Sequence, residues 1–215
     1  MSSALIQLIV LAGIAIFLIL KLRSVLGTRD GFEPTVAASG PKVVGGTAVT
    51  DGSLDHDITD NVVDEASRSA LAAMKAAEPG FSVTEFLKGA RGAYEMILMA
   101  FDKGAIDSIR PFVGDEVEAS FDAAVADRAK RGLTVTTNFV GIRELVLAAA
   151  EFNPATKRAE ISVRFTGELT RAVRDSTGRV VEGNATAIQR QREVWTFSRT
   201  MGSDDPIWQL TATSD

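Results

Sequence analysis

The hydrophobic period of the chain changes at Gly132, and this change constrains the fold more than any other feature of the sequence. Before Gly132, apolar residues recur at the three- and four-residue spacing of helices. After it, they alternate with polar residues, as they do in half-buried strands. Helices followed by antiparallel strands predict an α+β domain, with the helices packed on one face of a curved sheet of about four strands.

The helical part contains three predicted helices. The first covers residues 61–78, and the second begins with the capping box Ser82-Val83-Thr84-Glu85 and ends at Gly104. The third spans about residues 114–131. Gly89 and Gly92 each cost the second helix up to about 1 kcal/mol relative to alanine. We therefore expect another part of the domain to pack closely against these two glycines.

The strand part contains five predicted segments, the second of which is ambiguous with a helical turn. They cover residues 134–142, 144–152, 160–171, 189–200 and 207–213. A turn is predicted at Asn153-Pro154, and a hairpin turn is predicted at 175–178. In the third segment, alternation places Ile161, Val163 and Phe165 on one face of the sheet.

An apolar run from Ala4 to Leu20, broken only by Gln7 and Gly13, precedes the domain. As a helix, its 17 residues would rise roughly 26 Å, close to the thickness of the hydrocarbon core. A signal peptide would carry positive charge before the run and small residues after it, whereas Lys21 and Arg23 follow this one. Residues 1–26 are therefore predicted to form an uncleaved transmembrane anchor flanked by these two residues.

The same charges predict the orientation of the anchor and the organisation of the chain. Lys21, Arg23 and Arg29 lie on the C-terminal side, so the positive-inside rule places the N-terminus in the periplasm and the C-terminal part in the cytoplasm. Residues 27–60 are rich in Gly, Thr, Val and Asp without a lasting period, which predicts a flexible linker. His56 is read as a solvated histidine of this linker, and residues 61–215 are assigned to the α+β domain.

Composition excludes several kinds of chemistry. The sequence has no cysteine and one histidine, which removes thiolate catalysis and the common zinc sites, and no other cofactor motif is present. A net charge of -5 disfavours nucleic-acid binding. One enzymatic hypothesis remains, in which Tyr94, the only tyrosine, and the adjacent Glu95 act as an oxyanion donor pair. We expect a non-enzymatic protein without cofactor or metal, with a small-molecule pocket enzyme as a weaker alternative.

Six segments in order resemble the Tim44-like domain family. They are FLKGARGAYEMILMAFDKG (86–104), SFDAAVADRAKRG (120–132), FVGI (139–142), AEISVRF (159–165), VWTFSRT (194–200) and DPIWQLTAT (205–213). The apolar N-terminal run followed by KLRSVLG resembles the anchor of membrane-anchored bacterial members of that family, those of alphaproteobacteria. Ile207 departs from the polar residue expected after Asp-Pro.

The resemblance implies a cone-shaped domain related to the nuclear-transport-factor-like fold, with a large apolar pocket. It also implies location at the bacterial inner membrane, contact with anionic lipids such as cardiolipin, and a role beside membrane or translocation proteins. The motor-binding region of the mitochondrial relative lies upstream of the domain, where this chain has only a linker. The resemblance therefore gives little support for Hsp70 recruitment.

Mapped onto this sequence, the resemblance implies a pocket with walls from the long helix and the sheet. Its residues would be Phe86, Tyr94, Ile97, Phe101, Phe139, Ile161, Val163, Phe165, Trp195, Phe197 and Trp208. The leading hypothesis is a membrane-anchored adaptor that binds a protein partner or hydrophobic peptide, for example in protein translocation or membrane-protein assembly. The alternative is a domain that binds anionic lipid through basic residues, namely Arg110, Arg128, Lys130, Arg131, Lys157 and Arg158.

Overall fold

The structure is a computed structural model that describes residues 55–62 and 64–214. The helices come first along the chain: α1 (His56–Thr59), α2 (Glu65–Ala77), α3 (Val83–Lys103) and α4 (Asp115–Lys130). The strands follow: β1 (Thr134–Asn153), β2 (Arg158–Arg174), β3 (Val180–Thr200) and β4 (Gln209–Ser214). They form one antiparallel sheet in the order β1-β2-β3-β4, which confirms the predicted α+β class.

The predicted anchor at residues 1–26 and most of the predicted linker lie outside the described residues. Within residues 55–62 and 64–214, no helix is both long enough and apolar enough to cross a membrane.

Two strands differ in length from the sequence prediction. β1 is one continuous strand, although the alternation predicted two, because its register with β2 shifts at three places, including Ile142/Glu144. Each shift moves the following side chains to the other face and breaks the alternating pattern. β3 begins at Val180, nine residues before the predicted start at 189, and its first eleven residues are exposed. Without a buried face, this part of β3 leaves no alternating signal in the sequence.

The core lies between α2, α3 and the sheet, and Tyr94 is at its centre. The Tyr94 ring stacks on Phe165 with centroids 4.5 Å apart and lies 4.7 Å from the Trp195 ring. Gly167 permits this packing, since a Cβ at that position would lie 2.8 Å from the Tyr94 hydroxyl. Ile161, like Phe165, is fully buried, as the alternation of β2 predicts.

The folded domain begins before residue 61, because residues of the predicted linker contact its helices. The Asp57 carboxylate accepts hydrogen bonds from the backbone N–H groups of Val83 and Thr84, each at 2.8 Å, and lies 2.7 Å from Lys75 Nζ. Burial opposes ionisation of Asp57, but these hydrogen bonds outweigh it and hold its pKa well below the usual range. These contacts join α1 to α2 and to α3. His56 is solvated as predicted, but it lies in α1 and not in a loop.

Candidate binding groove

An open groove of about 620 Å³ runs along one face of α3. The segment before α3, the end of β3 and the β3–β4 loop form its other walls, and its volume falls within the range of small-molecule and peptide sites. It is lined by Glu78, Gly80, Phe81, Ser82, Glu85, Phe86, Gly89, Ala90, Gly92, Ala93, Met96, Phe112, Phe197, Arg199, Pro206, Ile207 and Trp208. Most of these side chains are apolar.

Aromatic rings form one wall of the groove. Trp208 lies edge-on to Phe86 with centroids 4.8 Å apart, and it lies 5.9 Å from Phe81. Phe86 in turn contacts Phe197 of β3 at 6.0 Å in an edge-to-face arrangement. Such pairs add stability beyond their buried area and hold the rings in fixed positions. Contacts within the domain therefore hold this wall of the groove in place.

Gly89 and Gly92 form part of the floor of the groove, and the prediction that the domain packs closely on them is wrong. A Cβ at either position would meet no atom of the surrounding domain within 4 Å. Both glycines are exposed on α3. Their cost to the helix is thus not offset by packing within the described chain, and their effect is to leave the groove open.

An ion pair fixes the loop that carries Trp208. Arg199 Nη2 lies 2.5 Å from Glu78 Oε1, and Glu78 Oε2 accepts a hydrogen bond of 2.8 Å from the backbone of Gly202. The Arg199 guanidinium also lies over the Trp208 ring, 5.4 Å from its centroid. Within the described chain, the buried Nε of Arg199 has no hydrogen-bond acceptor. Because Glu78 directly follows α2 and contacts both Arg199 and Gly202, it joins the end of α2 to the end of β3 and to the β3–β4 loop.

The ion pair makes stability depend on pH. The hydrogen bond from Arg199 lowers the pKa of Glu78 below its usual value of 4.5, despite partial burial. A carboxylate with a lowered folded-state pKa contributes stability above its unfolded-state pKa and loses that contribution as pH falls through the folded-state value. We expect Glu78→Gln to lower the free energy of unfolding by about 1–3 kcal/mol at pH 7. Urea denaturation should show this difference shrinking below about pH 4.5; a difference that stays constant with pH would contradict the assignment.

A second, smaller cavity of about 250 Å³ is lined by residues of α3, α4, β2, β3 and β4. It is lined by Ile97, Leu98, Phe101, Asp102, Phe121, Arg171, Gln191, Glu193, Trp195 and Thr213. The Tyr94 hydroxyl donates a hydrogen bond of 2.9 Å to Glu193 Oε2 beside this cavity. Burial and the neighbouring Glu193 carboxylate raise the pKa of Tyr94 well above 10.

The residues predicted for one pocket are distributed over three environments. Phe86, Phe197 and Trp208 line the groove. Ile97, Phe101 and Trp195 line the second cavity. Tyr94, Phe139, Ile161, Val163 and Phe165 line neither and belong to the core or pack against it. A binding role for the eleven residues therefore stays a prediction, but they do not share a single cavity.

The hypothetical catalytic pair of Tyr94 and Glu95 is not assembled. Glu95 is exposed, whereas Tyr94 is fully buried and its hydroxyl is engaged by Glu193, 99 residues away along the chain. Neighbouring residues of a helix point in directions about 100° apart, which separates these two side chains.

Most of the basic residues considered for lipid contact are already paired. The pairs are Arg110 with Asp107 and Glu118, Arg128 with Asp102, Arg131 with Asp127, and Arg158 with Glu160. Arg128 also donates a hydrogen bond of 2.6 Å to the backbone oxygen of Phe101 and is largely buried. These six residues therefore do not form a free cationic patch.

Fold and groove together define a small α+β domain with an open apolar groove. Residues 67–215 match the Tim44-like domain family, and the chain belongs to this family. The match confirms the resemblance of the six sequence motifs. No curated protein matches the chain.

Among solved structures, the chain is similar to the crystal structure of the intermembrane space region of the chloroplast protein ARC6. The two share 16% sequence identity over 51% of this chain and 75% of that chain, with a TM-score of 0.36.

Proposed function

We propose that this protein is a membrane-anchored, non-enzymatic adaptor whose Tim44-like domain binds an apolar helical segment of a protein partner in the groove. The binding would take place at the cytoplasmic face of a bacterial inner membrane. Family membership and the open apolar groove support the proposal. Protein translocation and membrane-protein assembly are the processes in which such segments are exposed beside a membrane.

The observation that carries the proposal is the glycine floor of the groove. Gly89, Gly92 and Ala93 present almost no side-chain bulk to the groove, and within residues 55–62 and 64–214 no neighbouring element comes within 4 Å of a Cβ at either glycine. Small residues let two helix backbones approach more closely than the usual 8–10 Å between axes. A partner helix lying along α3 would cover the glycines and place its apolar side chains against Phe86 and Trp208.

The charges of the groove favour a partner with basic residues beside its apolar face. Glu78 and Glu85 line the groove, and the only cation among its lining residues, Arg199, is paired with Glu78. Asp204 and Asp205 immediately precede the lining residue Pro206. The rim thus carries more negative than positive charge, which raises the rate of association with cationic segments.

The N-terminal part of the chain supports a location close to the bilayer. The apolar run Ala4–Leu20 is followed by a linker of low hydrophobicity that leads to Asp55, the first described residue. A flexible chain of this length has a reach of roughly 30 Å. The groove would then stay within reach of segments that enter or leave the membrane.

The two alternatives have weaker support. Binding of anionic lipid would need free cations, whereas most of the basic residues considered for it are engaged in ion pairs. A pocket enzyme would need Tyr94 available to a substrate, whereas its hydroxyl donates to Glu193.

Site-specific photocrosslinking in intact membranes tests the adaptor function. A photoreactive amino acid at Met96, which is 37% exposed in the groove, should crosslink to defined membrane or translocation proteins. The same amino acid at Val146, which is 39% exposed on β1 and outside the groove, is the matched control. An excess of an amphipathic Leu/Ala/Lys helical peptide should suppress the adducts at Met96. Equal crosslinking at both positions, or no competition by the peptide, would contradict the proposal.

A further inference from the structure

The second cavity contains a carboxylate without a cationic partner. Glu193 is half-buried, and its two oxygens accept hydrogen bonds from neutral donors, the Tyr94 hydroxyl at 2.9 Å and the Gln191 amide at 2.7 Å. Within the described chain, no ion pair involves Glu193, although sixteen ion pairs are formed by other residues. A partly desolvated carboxylate in this situation is stabilised by any cation that can reach it.

The other charged residues that line the cavity, Asp102 and Arg171, form ion pairs. Arg171 Nε lies 3.4 Å from Asp102 Oδ1, and Arg171 Nη1 lies 3.3 Å from Glu182. Arg128, outside the cavity wall, adds a second cation 3.7 Å from Asp102. Two carboxylates therefore neutralise the positive charge of Arg171. Among the charged residues that line the cavity, Glu193 is the one without an ion-pair partner in the described chain.

Aromatic rings form the remaining wall of the cavity. Trp195 is 3% exposed and lines it. Phe101 and Phe121 complete the aromatic lining, with ring centroids 4.5 Å apart. Aromatic rings beside a carboxylate attract alkylammonium groups.

We infer that this cavity binds a small quaternary ammonium ion of the choline type. The ammonium group would lie beside Glu193 and the aromatic rings of Phe101, Phe121 and Trp195. The volume of about 250 Å³ is just below the usual range of ligand pockets, roughly 300–1,000 Å³, and so limits the site to a small ligand. This site is separate from the groove and does not depend on partner binding there.

Choline and its neutral isostere 3,3-dimethyl-1-butanol form the test pair, because they differ only in the charge at the quaternary centre. The chain has two tryptophans, so Trp208→Phe leaves Trp195 as the sole indole reporter. Titration of the full-length variant in a maltoside detergent should show a saturable change in Trp195 emission with choline. We expect the neutral isostere to bind at least tenfold more weakly.

Three variants test whether the cation lies beside Glu193. Glu193→Gln keeps an acceptor for Tyr94 but removes the charge, and it should weaken choline binding at least tenfold. Glu95→Gln removes an equivalent charge from the exposed face of α3 and should leave the affinity unchanged. Thr213 pairs with Trp195 across the sheet and lines the cavity, so Thr213→Lys should supply a tethered ammonium group and abolish choline binding. This variant alters an exposed side chain and tests the site even if Glu193→Gln unfolds.

These titrations distinguish a choline-binding site from a cavity that holds only solvent. No saturable response to choline, equal affinities for the two probes, or full affinity in Glu193→Gln would each overturn the inference. Dihexanoylphosphatidylcholine, used below its micellar concentration, distinguishes the natural source once choline binds. Affinity at least equal to that of choline would assign the site to lipid headgroups, and much weaker affinity would assign it to the free ion.

Discussion

Replacing both Gly89 and Gly92 with leucine is expected to stabilise the free protein and to abolish binding in the groove. Leucine favours a helix almost as much as alanine, whereas each glycine is less favourable by about 0.8–1 kcal/mol. No atom of the domain lies within 4 Å of a Cβ at either position. The free energy of unfolding should therefore rise by about 1–2 kcal/mol, and each kcal/mol should raise Tm by about 2–4 °C in a domain of this size.

The same substitution should remove the space that a partner helix needs. Two leucine side chains on the floor would occupy the region between α3 and Trp208. Crosslinking from Met96 should then fall to the level of the Val146 control, while thermal unfolding shows a higher Tm. Opposite changes in stability and binding distinguish a blocked site from a damaged fold.

The matched control is the double variant Gly89→Ala/Gly92→Ala. It should give nearly the same gain in stability, because alanine has the highest helix propensity, but it adds only one methyl group at each position. Binding in this variant should fall far less than in the leucine variant. A loss of stability in the leucine variant would show that another part of the chain covers the glycines, and unchanged crosslinking would place the partner elsewhere.

The order of helices and strands could be predicted from the sequence because each element has a buried face with its own period. Ser82 accepts a hydrogen bond from the Glu85 backbone as the capping box predicts, and α3 ends at Gly104 in the left-handed conformation. β2 shows the clearest alternation because it lies between two other strands and under the helices. Where a segment lacks a buried face, as in the first half of β3, periodicity gives no prediction.

The groove could be predicted only in part. Aromatic residues were identified as pocket residues because the family resemblance implied a pocket, but the pattern does not show which of them meet at a surface. Tyr94 is fully buried in the core and contacts Phe139, Phe165 and Trp195, and the groove and the second cavity have separate linings that do not include it. The one local signal for the groove was the cost of two glycines within a long helix, and that signal fits internal packing equally well.

Long-range polar contacts were beyond sequence reasoning. Asp57 caps α3 across 26 residues of sequence, and Glu78 meets Arg199 across 121. Neither pair has the spacing of a local motif, so the sequence alone does not distinguish these residues from ordinary solvated charged residues. The inclusion of α1 in the folded unit and the fixed position of the Trp208 loop both follow from such contacts.

The largest loss of stability is expected from Asp102→Leu, which breaks a buried charge network. The Asp102 side chain is 3% exposed, lies 3.4 Å from Arg171 Nε and 3.7 Å from Arg128 Nη1, and accepts a hydrogen bond from the Thr137 hydroxyl. Without the carboxylate, the Arg128 side chain, which is 16% exposed, would keep no carboxylate partner within the described chain and would lie beside the positive charge of Arg171. Removing one member of a buried ion pair costs about 3–5 kcal/mol, and we expect a loss of this size in urea denaturation.

Removing the whole network should restore most of that loss. Replacing a complete buried ion network by apolar side chains is often close to neutral, so Asp102→Leu/Arg128→Met/Arg171→Met should be far more stable than Asp102→Leu alone. Asp127→Leu on α4 is the control, because Asp127 is 62% exposed and its pair with Arg131 is worth at most about 1 kcal/mol. If the triple variant were as unstable as the single variant, the loss would come from packing around residue 102 and not from uncompensated charge.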